Sequence, residues 1–108
     1  MKRDFSIELV GIGGQKLVEM DGDEQRPMTL GSVSVNALLG QYQDEAGLAG
    51  EEKFRRYQLA ERVSQGAVQE VSAEEVSLIK RLIGKAYGPI LVGPAYAALE
   101  LDPPAQAD

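Results

Sequence analysis

The stretch of this chain that comes closest to a known chemical motif is Gly11-Ile-Gly-Gly-Gln-Lys16, a glycine-rich segment that ends in a lysine. Such segments bind phosphate when a helix opens on them, because the N–H groups of the first helical turn then point at the anion. Here Leu17, Val18 and Met20 predict a strand, and the third glycine of the dinucleotide fingerprint is missing. The pattern therefore favours a hairpin turn over a phosphate site.

A second candidate for chemistry is the acidic cluster of Asp21, Asp23 and Glu24. Carboxylate oxygens suit hard cations such as calcium, but the spacing of an EF-hand and its distal glutamate are absent. Asp-Gly sequences are common in solvent-exposed turns, which is the favoured interpretation here. We therefore predict no metal site.

The residue types that most enzymes need are scarce in this chain. Its 108 residues include no histidine and no cysteine, so the commonest general base, the commonest metal ligand and all thiol chemistry are missing. No pair of carboxylates stands out from the surface charges, and no serine lies in a nucleophile elbow. We predict a non-enzymatic protein without catalytic residues or cofactor.

Basic residues are concentrated on two predicted helices, and they form the candidate patch for an acidic partner or a phosphate backbone. Packing of the two helices would merge the basic side chains into one strip. Nearby glutamates and the overall excess of 17 acidic over 11 basic residues instead favour a solvated face, and make nucleic acid an unlikely partner. The candidate residues are Lys53, Arg56, Lys80, Arg81 and Lys85.

The helix predicted over residues 73–87 carries the clearest signals in the chain. Ser72 and Glu75 have the spacing of a capping box, and Gly88-Pro89 stops the helix. Its apolar residues recur every three or four positions, which predicts one buried face. These residues are Val76, Ile79, Leu82, Ile83, Ala86 and Tyr87.

Three further helices are predicted at residues 32–39, 51–64 and 89–100. Ser32 or Ser34 would cap the first, and Phe54, Tyr57, Ala60 and Val63 would line the buried face of the second. Upstream, alternating apolar residues at 5–9 and the strand at 17–20 predict a β-hairpin, with residues 26–30 as an optional third strand.

The predicted fold class is α+β: an N-terminal β-hairpin packed on a bundle of three to four helices. Residues 1–102 would form one globular domain, followed by a disordered tail at 103–108, which has two prolines and little to bury. No apolar run is long enough to span a bilayer and residues 1–5 lack a signal-peptide pattern, so a cytoplasmic protein is expected.

The last predicted helix has almost no polar face before Glu100. A helix that is apolar all round must be buried on every side or must lie at an interface. We predict a homodimer or partner contact through Leu91, Tyr96 and Leu99, with a purely structural core helix as the alternative.

The run LAERVSQGAVQEVSAEEVSLIKRLIGKAYGPILVGPAYAALE, within residues 54–100, resembles small uncharacterised proteins of tailed phages and prophages. The upstream MTLGSVSVNALLG is similar to their threonine-leucine start and following Asn-Ala-Leu-Leu helix. These proteins continue the last helix where this chain has Gly93-Pro94, so its continuity stays open. The family carries no catalytic residues to transfer.

The resemblance implies a phage accessory protein that binds another protein, as an assembly factor or as an inhibitor of a host protein. Its location would be the host cytoplasm or the phage particle. The alternative function is a nucleic-acid-associated regulator that uses the two basic helix faces.

Overall fold

The computed structural model describes residues 1–103, and the chain has an α+β fold with four α-helices and two small antiparallel sheets. The helices are α1 (Leu30–Leu39), α2 (Gly50–Ser64), α3 (Ala73–Ala86) and α4 (Pro89–Leu99). The strands are β1 (Lys2–Asp4), β2 (Val18–Asp21), β3 (Glu24–Pro27) and β4 (Val68–Glu70). A 3-10 turn covers Gln43–Glu45 between α1 and α2.

Local capping chemistry determines where two of the helices begin. The hydroxyl of Ser72 accepts the N–H of Glu75 at 3.0 Å, and the Glu75 carboxylate accepts the N–H of Ser72 at 2.9 Å, which confirms the predicted capping box. For α1 the predicted caps are wrong. Thr29 caps this helix by a reciprocal pair of bonds with Ser32, because its extended backbone places the start of the helix further upstream.

The core is built around α1, which packs against the other three helices. The predicted buried face of α3 is confirmed for Val76, Ile79, Leu82 and Ile83. Helix α4 continues through Pro94, and its buried residues face α1 and α3. Its Gly93-Pro94 pair therefore does not interrupt it.

The buried face predicted for α2 is only half right. Ala60 and Val63 are buried as predicted, but Phe54 and Tyr57 are exposed, and Arg56 is buried in their place. Helix α2 is thus rotated about its axis so that the positions 56, 59, 60 and 63 face the core. Leu59, Ala60 and Val63 supply the apolar part of this face, and Arg56 on the same face pairs with Glu45.

The first sheet joins distant parts of the chain. Strand β1 pairs antiparallel with β4, with Lys2 opposite Glu70, and the N–H of Phe5 extends this pairing to the carbonyl of Ala67 at 2.8 Å. Residues 67–70, predicted as a link, therefore form a strand edge. The positive φ of 68° at Gly66 makes the turn that leads into it.

The second sheet is the hairpin of β2 and β3, with Val18 opposite Pro27 and Asp21 opposite Glu24. We call residues 18–27, including the turn at Gly22, the arm. The pairing predicted between residues 5–9 and 17–20 is limited to a bridge of Val10 with Lys16 and a bond from the Leu17 N–H to the Leu9 carbonyl. A third strand is present, but it covers Glu24–Pro27 and shares only residues 26 and 27 with the prediction of 26–30, because Thr29 and Leu30 begin α1.

Two further predictions concern the C-terminal tail and membrane-spanning segments. Of the tail predicted at 103–108, Pro103 is partly buried, and residues 104–108 lie outside the described residues. Between residues 1 and 103 no helix has the length and apolar character needed to cross a bilayer.

Candidate functional site

A concave surface lies between the C-terminal end of α1, the following connection and the first half of α2. We call it the groove; it has a volume of about 660 Å³. This volume falls within the range of about 300–1,000 Å³ that is usual for binding sites. Its walls are formed mainly by Leu38, Leu39, Tyr42, Leu48, Lys53 and Tyr57.

The deep part of the groove is held by a buried ion pair. Two guanidinium nitrogens of Arg56 donate to the two carboxylate oxygens of Glu45, both at 2.8 Å, and the Arg56 residue is only 4% exposed. This bidentate arrangement is the strongest geometry for such a pair. The Nε of Arg56 also lies 3.5 Å from a carboxylate oxygen of Glu52.

Two cations from α3 complete the surroundings of Glu45. The Nζ of Lys85 lies 3.5 Å and a guanidinium nitrogen of Arg81 3.9 Å from the same Glu45 oxygen. The hydrogen bonds from Arg56 are the main cause that lowers the pKa of Glu45 from 4.5 to about 2, with smaller contributions from Lys85. The same pairing raises the pKa of Arg56. Glu45 therefore stays ionised at neutral pH.

Tyr42 fixes the chain segment that presents Glu45. Its hydroxyl donates to the carbonyl of Ala37 at 2.6 Å, which ties the connection back to the last turn of α1. A Cβ at Gly40 would lie 2.9 Å from the Tyr42 hydroxyl oxygen, so a larger residue at position 40 would displace this hydroxyl. The Lys85 ammonium lies 5.5 Å from the centre of the Tyr42 ring.

Three large apolar side chains are exposed at or beside the groove. Leu39 on α1 is 52% exposed, and Tyr57 on α2 is 51% exposed. Phe54 is 60% exposed and lies one helical turn before Tyr57, on the same side of α2. The groove thus combines an ionic interior with an apolar rim.

The structure separates the members of the predicted basic patch. Arg56, Arg81 and Lys85 converge on Glu45, whereas Lys80 pairs with Glu100 at 2.9 Å on another part of the surface. Arg56 is buried, so its prediction as an exposed patch residue is wrong. Lys53 lies at the groove and has no ion-pair partner within residues 1–103.

The predicted partner anchors on α4 lie largely inside the fold. Leu99 and Leu91 belong to the hydrophobic core. The Tyr96 hydroxyl donates to the carbonyl of Lys80 at 2.6 Å, and the absence of a side chain at Gly84 leaves space for it. Leu91 and Leu99 therefore offer almost no surface to a partner. This is the alternative given in the sequence analysis, in which α4 is a structural core helix.

The other two candidate motifs are local turns. The Gly11 N–H donates to the Gln15 carbonyl at 2.7 Å and the Gly14 N–H to the Gly11 carbonyl at 3.0 Å, and a strand, not a helix, follows. Asp21 pairs with Arg26 at 3.2 Å. In the part of the chain that the structure describes, no three metal-ligating side chains come together.

A second cavity, of about 470 Å³, lies between the arm and α1. It is lined mainly by polar residues, including Ser6, Glu19, Arg26, Ser32 and Asn36. The Glu19 carboxylate lies 3.8 Å from Arg26, and its other oxygen is buried without a hydrogen-bond partner among the described residues. The inner surface of the arm is therefore charged.

Comparisons with known proteins do not extend these observations, because no family model, curated protein sequence or solved structure matches the chain.

Proposed function

We propose that this chain is a non-enzymatic protein that acts by binding another protein in the groove. The observation that carries the proposal is the exposure of the apolar side chains of Leu39 and Tyr57 in a groove of about 660 Å³, with Phe54 also exposed on α2. Contiguous exposed apolar side chains with polar surroundings are typical of protein-interaction sites. Aromatic residues also contribute most of the binding energy in many interfaces.

The ionic interior of the groove supports a binding role over a catalytic one. A general acid or base needs a pKa near the working pH, whereas the Arg56 hydrogen bonds hold the pKa of Glu45 at about 2. The two hydrogen bonds between Arg56 and Glu45 join α2 to the connection that precedes it and keep the walls of the groove in place. Lys53 supplies a positive charge at the groove, so a partner segment with apolar anchors and an acidic residue fits it best.

The biological setting of the proposal is that of a phage or prophage accessory protein, either an assembly factor or an inhibitor of a host protein. This setting is supported by the resemblance of residues 54–100 and 28–40 alone. The proposed location is accordingly the host cytoplasm or the phage particle.

The alternative, binding of a nucleic acid, has weaker support. Four of the five predicted basic residues have carboxylate partners within 4.0 Å, and the chain carries a net charge of −6. Phosphates would have to displace these partners. A mobility shift with DNA or RNA that weakens with added salt would favour this alternative.

The proposal is tested by capture of partners from a bacterial lysate on immobilised protein. Leu39→Asp and Tyr57→Asp place a charge on the rim without touching the core, and should abolish capture. Leu101→Asp is the matched control, since Leu101 is also an exposed apolar residue but follows α4 beside the ion pair of Arg3 with Asp102. Equal capture by all four proteins would exclude the groove as the binding site.

A further inference from the structure

The arm turns its apolar residues to the solvent. Val18 is 50% and Met20 60% exposed, whereas the Glu19 carboxyl between them lies against the polar cavity and is mostly buried. Successive side chains of a strand point to opposite faces, so one face of the arm is apolar and the other charged. In a hairpin that serves only the fold, the apolar face would be turned to the core.

The arm is also weakly attached to the rest of the chain. Hydrogen bonds at its base join Met28 to Leu17 and Leu9 to Met28, and beyond them β2 and β3 pair only with each other. A two-stranded hairpin is marginally stable in water, and exposing an apolar face to water makes its free energy less favourable still. Both features are explained if the outer face is covered by another molecule.

We propose that the arm of one copy of this chain lies in the groove of a second copy. This inference rests on the proposed function of the groove and names its occupant. Val18 and Met20 would cover the apolar rim of Leu39 and Tyr57. At the turn of the arm, Asp23 has no ion pair with any described residue, and it matches the charge of Lys53 at the groove.

The geometry favours the groove of a second copy over the chain's own. The arm joins α1 at its N-terminal end, next to Thr29, whereas the groove opens at the C-terminal end beside Leu39. A ten-residue helix separates these ends by about 15 Å. The arm's charged face, with Glu19 and Arg26, is turned to the cavity beside α1, so its apolar face points away from the body.

An arm-in-groove contact joins two different surfaces, so each copy offers one arm and one groove. Reciprocal exchange of arms closes a dimer, and a head-to-tail arrangement gives a longer assembly. Both arrangements make the same prediction for mixtures of variants. A copy without a working arm can still receive an arm, and a copy without a working groove can still donate one.

The test is sedimentation velocity of the purified full chain over a concentration series. Met20→Asp on the arm and Leu39→Asp on the groove should each weaken self-association roughly tenfold or more, since central anchors dominate an interface. An equimolar mixture of the two variants should form a heterodimer through the one intact contact. Leu101→Asp should associate like the wild type.

A charge reversal provides a second test at exposed positions where folding is not at risk. Lys53→Glu should weaken association, and combining it with Asp23→Lys in one chain should restore it, because the two positions then again carry opposite charges. Circular dichroism spectra identical to the wild type would verify folding.

A wild-type chain that stays monomeric at every concentration would overturn the inference, as would a mixture of Met20→Asp and Leu39→Asp that stays monomeric. If the monomeric chain still captured a lysate protein through Leu39 and Tyr57, the proposed function would stand with a different occupant. If the chain neither self-associated nor captured a lysate protein through Leu39 and Tyr57, both proposals would be wrong.

Discussion

Helices α2 and α3 both show apolar residues at helical spacing, but they bury them to different extents. In α3 the apolar residues Ile79, Leu82 and Ile83 are fully buried. In α2 the residues Leu59, Ala60 and Val63 are buried, whereas the two aromatic residues Phe54 and Tyr57 face the solvent and Arg56 lies inside. The same periodic signal therefore identifies the buried face of α3, but only part of the buried face of α2.

Helix α2 buries an arginine, whereas the buried residues of α3 are all apolar. Arg56 reaches Glu45 with two hydrogen bonds of 2.8 Å, and this contact holds its guanidinium on the buried side of α2. Burying an ion pair costs desolvation free energy that apolar residues of similar size would not require. The burial of Arg56 and the exposure of two aromatic rings support the proposed binding site at that surface.

The difference in burial between α2 and α3 is tested most directly by shortening one apolar side chain on each helix. Ile79→Ala should destabilise the fold by about 2–5 kcal/mol, because it leaves a cavity in the core. Phe54→Ala should change the free energy of unfolding by no more than about 0.5 kcal/mol, as for other surface changes. Denaturant midpoints of both variants measure this. Similar losses at the two positions would contradict the assignment of the two faces.

The second prediction concerns the ion pair itself. A carboxyl whose pKa is lower in the folded chain stabilises the fold above its unfolded pKa, and the contribution is lost as the pH falls through the folded pKa. For Glu45 this window extends from 4.5 down to about 2. The free energy of unfolding should therefore decrease across this range.

Glu45→Gln should flatten that decrease, since its amide does not titrate. The slope that remains should come from Glu75 and Glu100, whose pKa values are lowered by hydrogen bonds from Arg62 and Lys80 respectively. Chemical unfolding at a series of pH values measures both proteins. An unchanged slope in Glu45→Gln would show that the pair with Arg56 does not form in solution.

A smaller effect is expected at the cap of α3. Ser72→Ala should cost about 1 kcal/mol, because the N–H of Glu75 loses its acceptor. Ser77→Ala is the matched control, as Ser77 is an exposed residue in the same helix and alanine is the better helix former. Thermal unfolding of the two variants should therefore give a lower melting temperature for Ser72→Ala only.

The parts of the fold that were predicted well depend on neighbouring residues. The Ser72 cap and the Gly88-Pro89 stop lie within a few residues of the helix ends that they determine, and α3 begins and ends within about one residue of its prediction. The α+β class follows from the same local patterns. Thr29 was missed because Ser32 and Ser34 are equally good caps when considered by type alone.

The parts that were missed depend on residues far apart in the chain. Strand β4 forms because Lys2 meets Glu70, and nothing within residues 67–70 indicates that partner. Lys53 and Arg56 were singled out for their charge, but the groove needs Glu45 to turn Arg56 inward, and residues 41–50 were predicted only as a loop. Periodicity alone did not indicate that Arg56 is buried while Phe54 and Tyr57 are exposed, so the groove could not be predicted from it.

The smallest effect on stability is expected at Tyr57, and it is the most informative test of the difference between α2 and α3. Tyr57→Ser removes an exposed ring from the rim and should change the free energy of unfolding by no more than about 0.5 kcal/mol, whereas capture of the partner should fall strongly. Such a separation of stability from binding is expected only for a residue that contacts another molecule. Denaturant unfolding and lysate capture on the same preparation measure the two quantities. A loss of about 2 kcal/mol with unchanged capture would instead place Tyr57 in the core with Ile79, and α2 and α3 would then no longer differ.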